Sequence, residues 1–146
     1  MNSESAYPTR AAAIQSIQRE LTAFARRARG RSAELHPELS LVAFTILDLV
    51  IERDGCLAAE LAQHFALDKS TVSRQVSTLE QANYLRREVD PTNRRNHVLH
   101  ATAAGREIAR EADERRREAF TLRFLDWDDA DVARFADYLR RYNDSD

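Results

Sequence analysis

The chain is poor in cysteine, glycine and proline. Its 146 residues include one cysteine, three glycines and three prolines. A single thiol excludes an internal disulfide framework and a zinc site built from several thiolates. So few glycine and proline residues argue against a loop-rich β fold and favour helices. The length suits one domain, or two small lobes that share a core.

The sequence also lacks a long apolar run and a net positive charge. The longest apolar stretch, Leu41 to Leu47, is followed by Asp48 and is far shorter than the ~20 residues that a bilayer requires. The first residues, MNSESAYPTR, contain no apolar signal core. We therefore expect a cytoplasmic protein that does not contact a membrane. The net charge of −2 gives no global reason to expect nucleic acid, so that case rests on local charge.

Both ends of the chain carry a narrow apolar seam at helical spacing. From Ala11 to Ala28 the apolar residues step by three and four, and Gly30 predicts the end of that helix. A second helix is predicted to start at Asp128 or Asp129. Its seam consists of Val132, Phe135, Leu139 and Tyr142. Since such seams pack on other helices, and a second copy of the chain is the simplest partner for both, we expect a two-fold homodimer.

The middle of the chain predicts a helix-turn-helix. A largely apolar helix from about Leu39 to Arg53 should be buried. A short helix follows it, and Asp68 is the predicted N-cap of the next, with Thr71 at the third position and an end near Asn83. Two short helices separated by three or four residues are typical of this motif.

A β-hairpin is predicted directly after the helix pair. Residues 85–89 have a strand-like pattern, residues 90–93 (Asp-Pro-Thr-Asn) form a turn with proline at its favoured second position, and residues 96–101 form the returning strand. This arrangement places Arg94 and Arg95 near the tip. We interpret the hairpin as a wing.

The helix that starts after Asp68 has one apolar stripe and otherwise short polar side chains. Val72, Val76 and Leu79 recur at helical spacing and should face inward. Short hydroxyl side chains let a helix approach a surface closely, and arginine and glutamine can contact guanine and adenine in the major groove. The candidate DNA contacts on this helix are Lys69, Ser70, Thr71, Ser73, Arg74, Gln75, Ser77 and Thr78. The alternative is a plain solvated face.

The local charges agree with DNA binding in the middle of the chain. Residues 68–100 contain six cations and four anions, a net of +2, whereas residues 124–146 contain three arginines and seven aspartates, a net of −4. The acidic end should therefore point away from nucleic acid. In the wing, Arg94 and Arg95 are the candidates for the minor groove, although a solvated turn is an equal alternative for these two alone.

One long segment closely resembles the winged-helix core of the MarR (multiple antibiotic resistance regulator) family: LAQHFALDKSTVSRQVSTLEQANYLRREVDPTNRRNHVLHATAAGREI. The family pattern falls on Leu79-Glu80, Arg87, Asp90-Pro91, Arg94-Arg95 and Thr102 to Gly105. The flanking helices match in order and length, so the resemblance covers nearly the whole chain. One departure is Asn93, where the family usually has aspartate, and it leaves open which wing arginine points at DNA.

The resemblance implies a mainly α fold with a small β-hairpin wing and six helices per subunit. It implies a winged helix-turn-helix core at residues 37–103, dimerisation helices in residues 1–36 and 124–146, and a connecting helix at residues 104–123. It also implies a homodimer on double-stranded DNA, with recognition helices about 34 Å apart in successive major grooves of a pseudo-palindromic operator.

The resemblance further implies a transcriptional regulator, a repressor that a small phenolic or anionic ligand releases. Such ligands bind between the dimer helices and the winged helix, where Tyr7, Arg10, His36 and Phe44 are candidates for the lining. Packing or surface roles are equal alternatives for these four residues.

Two alternatives to that function depend on other features. Some relatives sense peroxide through a cysteine, so a redox-sensing repressor that uses Cys56 is one alternative, although a buried thiol beside Asp54 is the simpler interpretation. A winged helix that contacts only protein is the other. No enzyme is expected, because no nucleophile–base pair and no glycine-rich phosphate loop are present. No cofactor or metal is expected either. No two of the four histidines (His36, His64, His97, His100) have the i, i+4 spacing that places two ligands on one helix face, and His97 and His100, three apart in a strand, point to opposite faces.

Overall fold

The structure is a computed structural model that describes residues 8–35 and 39–145, and only the backbone of residues 32–35. The described chain forms six helices and three short strands. They are α1 (Arg10–Leu35), α2 (Leu41–Glu52), β1 (Cys56–Leu57), α3 (Ala58–His64), α4 (Lys69–Gln81), β2 (Leu85–Val89), β3 (His97–Ala101), α5 (Ala103–Arg123) and α6 (Asp129–Asn143). This order confirms the predicted mainly α fold with a wing. Among the described helices, none is both long and apolar enough to cross a membrane.

The end of α1 was predicted wrongly. Gly30 does not stop the helix, which continues to Leu35. A glycine in a helix costs only about 1 kcal/mol relative to alanine. The surrounding arginines and alanines are good helix formers, so they carry the helix through this position.

Five of the described helices start at a side-chain cap. Thr9, Ser40, Asp68, Thr102 and Asp128 each accept a hydrogen bond from the backbone N–H three residues further on. Each cap satisfies a donor that the first turn of a helix leaves without a partner. The cap at Asp68 confirms the predicted start of α4, and Asp128 is the cap of α6.

Helix α2 forms the centre of the core. It buries six side chains: Ala43, Phe44, Ile46, Leu47, Leu49 and Val50. It packs against α1, α4, α5 and β3, as expected for a helix with almost no polar face. It ends in a turn in which Asp54 has φ of 51° and Gly55 has φ of 116°, which confirms the predicted stop.

The strands form one antiparallel sheet in the order β1-β3-β2. Leu85 pairs with Ala101 and Val89 with His97, and Cys56 pairs with Leu99 on the other side of β3. The hairpin was predicted, but the pairing of β1 with β3 was not, since it joins residues more than forty positions apart.

The wing turn lies further along the chain than expected. The Asp90 carboxylate accepts hydrogen bonds from the backbone N–H and the hydroxyl of Thr92. The reverse turn itself is closed by Asn96 N–H, which donates to the Asn93 carbonyl at 2.9 Å. Arg94 and Arg95 are therefore the central residues of the turn, and their predicted position at the tip is confirmed.

The start of α5 packs closely on the end of the α4–β2 connection. Thr102 donates from its backbone N–H to the Tyr84 carbonyl at 3.1 Å, and from its hydroxyl to the Asn83 carbonyl at 2.6 Å. Gly105 lies against the same Tyr84 carbonyl, where an added Cβ would overlap the carbonyl oxygen and lie 2.9 Å from its carbon. Only a residue without a side chain fits there.

We expect Gly105→Ala to lower the free energy of unfolding by about 1–3 kcal/mol, because the methyl group forces α5 away from the wing base. Gly30→Ala is the control, since a Cβ at Gly30 meets nothing within 4 Å, and it should raise stability by about 0.5–1 kcal/mol. Urea unfolding at one fixed protein concentration measures both. Equal effects of the two substitutions would contradict the packing described for Gly105.

Candidate nucleic-acid interface

The apolar stripe of α4 fixes which side of the helix faces outward. Val72, Val76 and Leu79 are buried to 1%, 0% and 2% exposure, as predicted. Helices α2 and α3 pack behind them. Since the stripe fills one side of the helix, the opposite side must face solvent.

The eight predicted contacts on α4 lie together on that outer side and its flanks. We call them the recognition face. Lys69, Ser70, Ser73, Arg74 and Thr78 are exposed, while Thr71, Gln75 and Ser77 are half-buried. The face is free of carboxylates and made mostly of short side chains, so a phosphate backbone can approach the helix closely.

Hydrogen bonds at the start of α4 hold its first turn in place. The Asp68 carboxylate accepts hydrogen bonds from the Ser70 hydroxyl and from the Thr71 backbone N–H, both at 2.6 Å. These bonds lower the pKa of Asp68 to about 2, and the bond from the Ser70 hydroxyl has the largest effect. The cap is therefore ionised throughout the neutral pH range, and Ser70 has a structural role besides its predicted contact with DNA.

An ion pair connects the end of α4 to the wing. Arg87 of β2 donates from Nε to Glu80 of α4 at 2.6 Å. A second pair on the wing joins Arg86 to Glu88, which also faces His100 at 3.4 Å. The charge count for residues 68–100 included Arg86 and Arg87 among the cations, yet both are paired with carboxylates. The cations that remain on this side of the molecule are those of the recognition face and the wing tip.

The wing tip carries Arg94 and Arg95 on the solvent side. Both side chains are exposed. The Asn93 side-chain oxygen accepts a hydrogen bond from the Arg95 backbone N–H at 3.1 Å, so this residue shapes the turn although it is not the aspartate usual in the family. The recognition face and the wing tip thus both present cationic side chains to solvent.

Cys56 lies inside the core rather than at a reactive site. It is 4% exposed. Burial raises its pKa to about 11, the Glu60 carboxylate adds to the increase, and Arg53 opposes it. The sequence suggested Asp54 as the acidic neighbour, but Glu60 has that effect. In the described parts of the chain, no three His, Cys, Asp or Glu side chains are grouped to hold a metal ion.

A cavity of about 230 Å³ lies between α1, the start of α2 and the second half of α5. We call it the α1–α5 cavity. Its lining consists of Phe24, Ala28, Arg31, Leu41, Arg116, Ala119, Phe120 and Arg123. Apolar walls with three arginines suit a small organic anion.

The residues predicted for a ligand site are placed differently. Phe44 lies behind Arg116, whose guanidinium carbon is 3.6 Å from the centre of the Phe44 ring. Arg10 is exposed at the start of α1, about 21 Å along the helix from Phe24. Tyr7 and His36 lie outside the described residues. Sequence reasoning missed the arginines of the lining, because α1 and α5 meet only in the fold.

Comparison with known proteins finds similarity to transcriptional regulators. The MarR family model matches residues 38–96. The uncharacterized HTH-type transcriptional regulator YxaD of Bacillus subtilis (strain 168) is 29% identical over 132 residues, which cover 89% of this chain and 92% of YxaD. The crystal structure of MarR is similar with a TM-score of 0.76 and 28% identity, over 87% of this chain and 94% of that one.

A third protein shares the fold at lower identity. It is Bordetella bronchiseptica BpsR, whose DNA binding is regulated by 6-hydroxynicotinic acid. The TM-score is 0.75 and the identity 20%, over 89% of this chain and 94% of that one. The fold, the matched winged-helix segment and the similarity over nearly the full length agree: residues 38–96 match the MarR family model, and the chain is similar over most of its length to an HTH-type transcriptional regulator and to MarR.

Proposed function

We propose that the chain is a homodimeric repressor that binds a pseudo-palindromic operator and is released by a small organic anion. The observation that carries the proposal is the recognition face: a helix with its apolar stripe fully buried presents a carboxylate-free polar surface to solvent. In this role α4 lies in the major groove. Residues 37–103 form the DNA-binding core.

Arg74 and Gln75 are the proposed base-reading side chains, because both can make two hydrogen bonds to one base. Lys69 and the hydroxyl groups of the recognition face contact phosphates and fix the helix in register. Arg94 or Arg95 enters the minor groove. Each phosphate neutralised by a cation makes binding more sensitive to salt.

Dimerisation is supported by apolar surface that the single chain leaves uncovered. The large exposed hydrophobic side chains lie mainly on α1, on α6 and in the segment between α5 and α6. Examples on α1 and α6 are Ile14 at 54%, Phe24 at 40% and Tyr142 at 60% exposure. Helix α6, which the structure describes in full, buries none of its side chains. Patches of this kind mark protein interfaces.

The charges of the two ends complement each other. Helix α1 contains six arginines and two glutamates, a net of +4, whereas residues 124–146 have a net charge of −4. Pairing α1 of one subunit with α6 of the other buries both seams and brings opposite charges together. We therefore assign dimerisation to residues 1–36 and 124–146, joined to the core by residues 104–123.

The α1–α5 cavity supports regulation by an anion. Arg31, Arg116 and Arg123 face an apolar space that lies between the helix proposed for dimerisation and the core. A ligand that binds one arrangement of these elements better than another shifts the population toward it. The regulation of BpsR by 6-hydroxynicotinic acid, an aromatic anion, is a precedent in this fold. Repression suits such a device, because an occupied operator excludes other proteins from the same grooves.

The two alternative functions are less well supported. A winged helix that contacts only protein does not require a carboxylate-free recognition face or two arginines at the wing tip. A redox-sensing repressor needs an exposed thiol of low pKa, whereas the pKa of Cys56 is raised and its side chain is buried.

We expect Arg74→Ala to weaken binding to a selected operator by about 1–3 kcal/mol, and to relax sequence preference at the contacted base pair. Fluorescence anisotropy against the operator and against scrambled DNA measures this. Arg110→Ala is the control, because Arg110 is ion-paired to Glu107 and Glu114 on α5, away from α4. Undiminished preference in Arg74→Ala would contradict the assignment of the recognition face.

Leu139→Asp should convert the dimer to monomers, since it places a carboxylate in the proposed seam of α6, where Leu139 is 37% exposed in the single chain. Light scattering after gel filtration gives the mass. Asp137→Asn changes the charge of the same helix at a position paired with Arg140 and should remain dimeric. A dimer that persists in Leu139→Asp at low micromolar concentration would argue for a different interface.

The thiol of Cys56 should be almost unreactive in the folded protein. With a pKa of about 11, roughly one molecule in a thousand carries the thiolate at pH 8, and burial blocks access as well. The rate of reaction with an aromatic disulfide reagent should rise toward pH 11 and on unfolding in urea. Peroxide should leave operator affinity equal in the unaltered protein and in Cys56→Ala. Rapid native modification, or loss of affinity only where Cys56 is present, would favour the redox alternative.

A further inference from the structure

Arg116 marks the point on α5 where close helix packing ends and the α1–α5 cavity begins. The buried residues on the inner face of α5 are Gly105, Ala109 and Ala112. These small residues let α5 approach the core closely. Arg116 is the next residue on that face at helical spacing, and its side chain is larger than those of the three before it. Beyond it, the helix lines the cavity with Ala119, Phe120 and Arg123.

The guanidinium of Arg116 lies over the ring of Phe44 of α2. The distance from its central carbon to the ring centre is 3.6 Å, well within the range of a cation–π contact. Phe44 is only 8% exposed, so its ring is packed among the side chains of the core. The contact therefore sets how far apart the two helices lie at this level.

Two carboxylates surround this contact. Asp48 follows Phe44 by one turn of α2, and Asp113 precedes Arg116 by about one turn of α5. Burial raises the pKa of Asp48, the nearby Asp113 and Glu52 raise it further, and Arg116 lowers it. Arg116 thus offsets the repulsion between acidic groups on α2 and α5. This attraction stabilises its guanidinium beside Phe44, in addition to the cation–π contact.

Helix α2 connects this junction to the recognition face. It packs on α4 and β3 as well as on α5. The far end of α5 leads into the exposed apolar surface proposed for dimerisation. A change of angle between α5 and α2 therefore turns α4 relative to the dimer helices, and in a two-fold dimer it changes the separation of the two recognition helices.

We propose that Arg116 is a positioning residue for DNA binding: its stack on Phe44 fixes the angle between α5 and the winged helix, and with it the half-site separation that the dimer accepts. The inference rests on the proposed function, because a separation exists only for a dimer on two half-sites. Arg116 itself touches no DNA.

The test measures the affinity of the full chain for three DNA duplexes by fluorescence anisotropy. One is an operator selected from random DNA with the unaltered protein, and the other two have half-sites one base pair closer together or further apart. One base pair rotates a half-site by about 35°, which a rigid pair of helices cannot follow. The variants are Arg116→Gln, Phe44→Leu and the double substitution. Arg117→Gln is the matched control, because it removes the same charge from the next residue, which pairs with Asp113.

We expect the unaltered protein and Arg117→Gln to bind the altered duplexes about tenfold or more weakly, as for a mismatched base pair. Arg116→Gln and Phe44→Leu should bind all three duplexes within about threefold, and the double variant should add nothing, since both changes remove one contact. Arg116→Lys keeps a cation over the ring and should restore part of the discrimination. If Arg116→Gln fails to fold, Arg116→Lys and Phe44→Leu test the inference in its place.

If Arg116→Gln and Phe44→Leu discriminate among the three duplexes as strongly as Arg117→Gln does, the inference is overturned and the proposed function stays intact. If the unaltered protein is itself indifferent to the separation, the two-fold mode of DNA binding fails, and the role of Arg116 fails with it.

Discussion

The burial of three side chains of α4 against α2 and α3 is the interaction on which the rest of the molecule depends. Val72, Val76 and Leu79 are almost fully removed from solvent, and each contributes about 1.5–3 kcal/mol through that burial. This tertiary contact holds a helix whose serines and threonines are only moderate helix formers. It also fixes the rotation of α4 about its own axis, so the residues of the recognition face point to solvent.

Helix α5 uses the opposite kind of surface. Its contact with the core relies on the absence of side-chain bulk, at Gly105 against the Tyr84 carbonyl and at Ala109 and Ala112 further along. Close approach of this kind fixes the position of the first half of α5. Arg116 is the next and larger residue on that face, and its contact with Phe44 is the one proposed to set the angle of the second half. The α1–α5 cavity adjoins this residue, so any occupant of the cavity lies against the guanidinium that sets it.

The elements that local chemistry determines could be predicted from the sequence. The cap at Asp68, the inward stripe of α4 and the arginines at the wing tip depend on residues within a few positions of one another. The continuation of α1 beyond Gly30 was missed, because one glycine is a weak signal against a long run of helix formers. The pairing of Cys56 with Leu99 and the stack of Arg116 on Phe44 join distant parts of the chain, and no periodic pattern encodes such contacts. For the same reason the lining of the cavity could not be assigned.

The charge of the chain shows why a bulk quantity misleads for a protein of this kind. A net charge of −2 argues against a polyanionic partner only if the charges are spread evenly. Here the carboxylates of Glu80 and Glu88 are engaged with arginines of the wing, and Asp68 is held at the cap of α4. The remaining excess of acid lies in residues 124–146, opposite in sign to α1. The acidity of one end therefore supports the proposed association between subunits, while the recognition face and the wing tip remain cationic.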